Sequence, residues 1–147
     1  MMLRTKATTY AILAVVEIAE KQRARHGGVQ AGEVARCVNI PGAYAAKVLT
    51  QLARANLLRS DRGPRGGFRL VRPPEEITLL NIVEAVDGTI ESDSSGINAS
   101  SSSEASLRAI DRAFQSAVDS VRQSLEQYTI ADLLQQAPVL VGAHSRD

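Results

Sequence analysis

The sequence is poorest in the residues that build covalent and redox frameworks: its 147 positions hold one cysteine, Cys37, and no tryptophan. A single thiol excludes an internal disulfide scaffold. Aromatics make up 3% of the chain, namely Tyr10, Tyr44, Phe68, Phe114 and Tyr128, a poor fit to a platform that stacks unpaired bases. The apolar run Ala11–Val16 is far short of the roughly 20 residues needed to span a bilayer, so a cytoplasmic chain without membrane attachment is expected. His26 and His144 have no cysteine or carboxylate company at metal spacing. No nucleophile–base–acid set, phosphate loop or dinucleotide fingerprint occurs, and an enzyme is not expected.

What is present is ordinary globular material, 44% hydrophobic and 22% charged, enough for one compact domain with an appendage. The net charge of +1 conceals a strong polarity. Residues 1–74 carry 13 Lys/Arg against 4 Asp/Glu, a balance of +9, whereas residues 75–147 carry 4 against 12, a balance of −8. Such a chain offers its first half to a polyanion and keeps its second half away; the plainer alternative is a solvated basic face, and position in the fold must decide.

Helical spacing of Ala11, Ala14, Val15 and Ile18 predicts a first helix ending at Arg25-His26-Gly27-Gly28. A short helix follows over 31–38, then a tight Asn39-Ile40-Pro41-Gly42 connection and a third helix over 42–55 that buries Ala45, Val48, Leu49 and Leu52. Its polar face shows Tyr44, Lys47, Gln51 and Arg54. Residues 57–62 and 68–72 flank a Gly/Pro-rich centre and read as a β-hairpin stopped by Pro73-Pro74. Thr78 caps a helix closed by Gly88. Eight of the fifteen residues 92–106 are serine, a loop composition. A long helix over 107–128 presents Leu107, Ile110, Phe114, Ala117, Val121 and Tyr128 as a heptad-like stripe. A domain this small cannot cover it, so a second copy of the chain is expected to. Ile130–Leu134 forms a last short helix.

Three helices followed by a basic hairpin are the parts of a winged helix-turn-helix, mainly α with a small β wing. In that arrangement the third helix enters the major groove of double-stranded DNA and the hairpin follows the backbone or the minor groove. Arg62, Arg65 and Arg69 line the hairpin, and arginine's planar fork suits both phosphates and base edges. The expected organisation is a DNA-binding unit over 1–88, a Ser-rich loop over 89–106, a dimerisation helix with a short terminal helix over 107–137, and a tail over 138–147. A winged-helix module that binds only protein is the alternative from another class.

Several segments resemble the IscR/NsrR/CymR family of bacterial repressors: Thr5-Lys6-Ala7-Thr8-Thr9-Tyr10-Ala11, Ile40-Pro41-Gly42-Ala43-Tyr44 and Tyr128-Thr129-Ile130-Ala131-Asp132-Leu133-Leu134. The most specific is Arg62-Gly63-Pro64-Arg65-Gly66-Gly67-Phe68-Arg69-Leu70, followed by Pro73-Pro74-Glu75-Glu76-Ile77-Thr78-Leu79. The resemblance covers about residues 3–135. It implies a homodimer joined through the long helix and bound to an imperfect palindrome, with Arg62 in the minor groove and Tyr44 and Lys47 at the major groove. Lys6, Tyr44, Lys47, Gln51, Arg54, Arg62 and Arg65 are the candidate DNA contacts. A position often Glu or Gln in the family, where it tunes base preference, is Ala46 here.

The family usually senses iron–sulfur, redox or nitric oxide state through a cluster on three loop cysteines. Those positions fall on Ser94, Ser100 and Ser106, and a histidine of some relatives falls on Ala109. Serine hydroxyl is a poor iron ligand where soft thiolate is needed, so no cluster is expected unless these serines stand for cysteines in a parent protein. The alternative is a cluster-free regulator answering a small molecule or protein partner. Cys37 is either a redox-sensing thiol or simply a small residue on a half-buried helix.

Overall fold

A computed structural model describes residues 2–93, 97, 100 and 103–136. The elements run α1 (Lys6–Arg25), α2 (Ala31–Val38), α3 (Gly42–Arg54), β1 (Leu58–Asp61), β2 (Gly67–Leu70), a 3-10 turn (Pro74–Glu76), α4 (Leu79–Asp87), α5 (Glu104–Glu126) and α6 (Ile130–Gln136). The main core joins Ala11, Ala14, Val15 and Ile18 of α1 to Val34, Val48, Leu49, Leu52, Ile77, Ile82 and Ile130. These residues are all but sealed from solvent. The helical spacing in the sequence therefore marks the buried stripes of α1 and α3.

Local chemistry sets the ends. The Thr5 hydroxyl accepts from the Thr8 amide at 3.0 Å and caps α1, which starts at Lys6. The Thr5 hydroxyl donates to Asp87 Oδ2 at 2.8 Å, and Thr8 binds the same oxygen, so the start of α1 is tied to the end of α4. Thr78 and Asn81 form a reciprocal capping box at α4. Between α2 and α3, Asn39 turns left-handed at φ 59° and the Ile40 amide reaches back to the Ala35 carbonyl at 3.0 Å. Pro73-Pro74 does not merely stop the hairpin as the sequence suggested: Pro74 opens the 3-10 turn, where its missing N–H costs nothing.

The hairpin pairs Leu58 with Leu70, Arg59 with Arg69, Ser60 with Phe68 and Asp61 with Gly67. It is also joined at its outer edge by an antiparallel bridge between Val29 and Phe68, at 3.0 and 2.8 Å. Backbones meet so closely there that Gly67, at φ +115°, would put a Cβ 2.6 Å from the Val29 carbonyl carbon. A second bridge joins Thr78 to Thr129, and Leu79 and Ile130 donate to the Tyr128 and Ile77 carbonyls at 2.9 Å. That clamp fixes the C-terminal end of α5 beside the start of α4.

The long helix starts three residues earlier than its apolar spacing indicated and ends at Glu126, so Ser106 lies within it. Its stripe is split. Val118, Val121 and Leu125 close a small cluster with Leu80, Val83 and Ile90, which places Val121 against α4 of the same chain rather than on an open seam. Arg122, which pairs with Glu84, reinforces that contact. Ile110 and Phe114 instead stand 52% and 62% exposed, Ala117 is exposed and Leu107 half-buried. Tyr128 lies beyond the helix, 52% exposed. The expected tail over 138–147 lies outside the described residues, as do positions 94–96, 98, 99, 101 and 102 of the Ser-rich loop.

Candidate nucleic-acid interface

Helix α3 has a clean division of faces. Ala45, Val48, Leu49 and Leu52 are buried, while Ala43, Ala46, Lys47, Thr50 and Arg54 are exposed at three- and four-residue steps. Gln51 is half-buried at the edge of that face. Tyr44 departs from its expected place: its ring meets Tyr10 edge-on, with centroids 5.6 Å apart, and packs on the core that joins α1, α2 and α3. This contact braces α3 and leaves the Tyr44 side chain half-buried. A tyrosine three residues before an exposed lysine read as polar-face by spacing alone; the contact with Tyr10, 34 positions away, is invisible to local periodicity.

The wing separates its arginines into two kinds. Arg62 and Arg65, at the tip, are exposed and carry no ion pair among those found in the described residues. Arg69 is turned inward, with Nε 2.9 Å from Asp61 Oδ2 and Nη1 donating to the His26 carbonyl at 3.2 Å. The tip rests on the helix-turn-helix body through Gly28 N–H to Arg65 O at 3.3 Å and Gln30 Nε2 to Gly66 O at 3.0 Å. Lys6 is exposed on the first turn of α1.

Not all of the cationic half is available to a ligand. Lys21 lies 3.3 Å from Glu17 and 3.1 Å from Glu33, and Arg25 lies 2.6 Å from Glu33. Arg25, and then Lys21, hold the Glu33 carboxyl below its usual value, and Glu33 holds the Lys21 ammonium above its own. This cluster joins α1 to α2. Cys37 sits beside it. Cys37 is exposed on α2, and desolvation, then the hydrogen bond and charge of Glu17, push its thiol upward, which disfavours the reactive thiolate.

Of the three positions on which the family's cysteine spacing would fall, Ser94 lies outside the described residues. Ser100 sits within hydrogen-bond distance of Ser103, 3.3 Å between hydroxyl oxygens, and Ser106 is exposed on α5. Among the described residues no three His, Cys, Asp or Glu side chains gather as metal ligands. No helix among them is long and apolar enough to cross a membrane.

Helix-turn-helix, braced recognition helix and anchored two-stranded wing together define a winged helix-turn-helix protein. A family model for iron-dependent transcriptional regulators, Rrf2, matches residues 4–136, and the chain belongs to that family. The HTH-type transcriptional regulator IscR of Cereibacter sphaeroides is 37% identical over 100 residues, covering 68% of this chain and 64% of that protein. Protein aau3 of Rhizobium meliloti is 32% identical over 120 residues, covering 72% and 70%. Matches to other curated relatives fall as low as 50% of their length, so the chain spans about half to two thirds of several of them. In structure, CymR, the global cysteine regulator of B. subtilis, aligns with a TM-score of 0.69 at 23% identity, over 92% of this chain and 98% of that one. Oxidised Staphylococcus aureus CymR aligns at 0.62 with 26% identity, over 91% and 96%.

Proposed function

We propose that the chain is a sequence-specific DNA-binding transcription regulator, a cytoplasmic repressor that acts as a homodimer on an imperfect palindrome. The observation that carries this reading is the placement of cations that make no ion pair among the described residues. Lys47 and Arg54 stand on the open face of α3 and Arg62 and Arg65 on the wing tip, while most acidic residues fall in the second half of the sequence. Lys47 and Arg54 serve the major groove and its phosphates, with Gln51 at their edge; Arg62 serves the minor groove, and Arg65 and Lys6 the flanking backbone. Dimerisation is supported by the uncovered half of α5: Ile97, Leu107, Ile110, Phe114 and Val118 line an apolar groove that a second copy covers. Two recognition helices then read half-sites about one helical turn apart.

The reading further holds that no iron–sulfur cluster is bound. Its support is the donor set: hydroxyls at Ser100 and Ser106, and the one thiol far along the chain on α2. The signal is accordingly a small molecule or protein partner. A salt-dependent shift assay on the DNA upstream of its own gene tests the whole reading. Arg62→Ala is expected to weaken specific binding by about 1–3 kcal/mol with folding retained. Wild-type affinity in that variant, or no preference of the wild type for any duplex, overturns it. Anaerobic reconstitution with iron and sulfide tests the cofactor statement; stoichiometric iron with visible charge-transfer absorbance overturns that part alone.

A further inference from the structure

The wing carries an internal charge problem. Arg59 and Arg69 are directly opposed across the hairpin, and like charges in that position repel. Asp61 answers both, at 3.9 Å from Arg59 Nε and 2.9 Å from Arg69 Nε. The Arg69 Nε–H makes no aligned hydrogen bond, so charge rather than directionality holds the pair. The other end of the same guanidinium donates to the carbonyl of His26, the left-handed residue that ends α1. One side chain thus links the last residue of β1 to the last turn before α2. The next residue after Asp61 is Arg62, the exposed tip arginine. Where Asp61 is held decides where Arg62 starts.

We propose that Arg69 is a positioning residue for DNA recognition: the Asp61–Arg69–His26 latch sets the angle of the wing to the helix-turn-helix, and it neutralises the carboxylate adjacent to Arg62. This rests on the DNA-binding reading above. Arg69 itself touches no DNA and acts through Arg62. A lysine at position 69 keeps the charge facing Asp61 but cannot span to the His26 carbonyl with a second N–H group, because a single ammonium lacks the fork.

The test is a double-mutant cycle on the tightest duplex that the wild-type chain selects from a random pool. Arg69→Gln is expected to lower affinity for that duplex roughly tenfold, with its affinity for a scrambled duplex and its salt slope unchanged. Arg69→Lys recovers part of the loss. In an Arg62→Ala background, Arg69→Gln has little further effect. An equal loss in both backgrounds, or a salt slope reduced by about one, means a direct contact or a general structural role and overturns the proposal. A second readout is independent of DNA: amide exchange over residues 62–66 is expected to quicken in Arg69→Gln while α1 and α3 keep their protection. Unchanged exchange overturns the latch. A wild-type chain that selects no duplex overturns the DNA reading, while the exchange measurement still decides the latch.

Discussion

The two ends of the molecule solve opposite problems. Around the wing, glycine lets three backbone segments touch: a Cβ on Gly66 would lie 2.3 Å from the Asp61 carbonyl oxygen, and one on Gly28 2.7 Å from that of Gly66. On the outer half of α5, by contrast, large apolar side chains are left open among the described residues, with Ile110 52% and Phe114 62% exposed. The first region is closed by hydrogen bonds within the chain. The second leaves apolar surface open among the described residues, and a partner that covered it would add to its stability.

Substitutions in the two regions should therefore fail differently. The largest effect is expected at the wing base. Gly67→Ala must place a side chain at φ +115° against the Val29 backbone, at a cost of about 3 kcal/mol, and should lower the denaturation midpoint and DNA affinity together. Next comes a contrast within α5. Phe114→Glu should leave the unfolding of the isolated chain nearly unchanged but abolish self-association in sedimentation, because it charges an exposed surface. Val121→Glu should cost about 2–4 kcal/mol in folding, because its carboxylate enters the cluster with Leu80 and Val83. If both variants affect association alone, the split of the stripe is wrong. Lys47→Ala is expected to lower affinity for all duplexes alike and to flatten the salt dependence by about one unit, as loss of a phosphate contact requires.

The smallest effect belongs to the cluster that joins α1 to α2. Glu33 is held below its ordinary 4.5, so its contribution is present above that value and is lost as pH falls through the lowered one. Lys21 is held above its ordinary 10.5, so its contribution is full below that value and is lost as pH rises through the raised one. Glu33→Gln should flatten both limbs of the stability profile by about 0.5–1 kcal/mol, measured by urea unfolding across pH.

Most of the helices were legible because their determinants are local. The Thr78 cap, the Asn39 turn and the buried faces of α1 and α3 each depend on neighbours within about one turn. The bridges Val29–Phe68 and Thr78–Thr129 were not legible, since each joins residues about 40 or more positions apart and neither belongs to a regular sheet. The same reason hid the inward turn of Arg69 and Tyr44. Charge and spacing mark a residue as polar-faced, but only the tertiary partner decides whether it reaches solvent. Val121 shows the converse. A heptad-like stripe identifies an apolar surface without saying whether its own chain or another covers it.

The clamp at the base of α5 makes that helix a lever. Its C-terminal half is fixed to α4 by Val118, Val121, Leu125 and Arg122, and α4 in turn packs on α1 and α3. The free arm from Glu104 to Val118 is about 21 Å long, so a tilt of about 5° at the fulcrum sweeps its outer end through about 2 Å. The mechanical advantage runs both ways. A ligand or partner gripping the outer turns applies torque to the elements that carry α3, with no need to approach them, and a displacement of a few ångströms there becomes a fine rotation where DNA would be read.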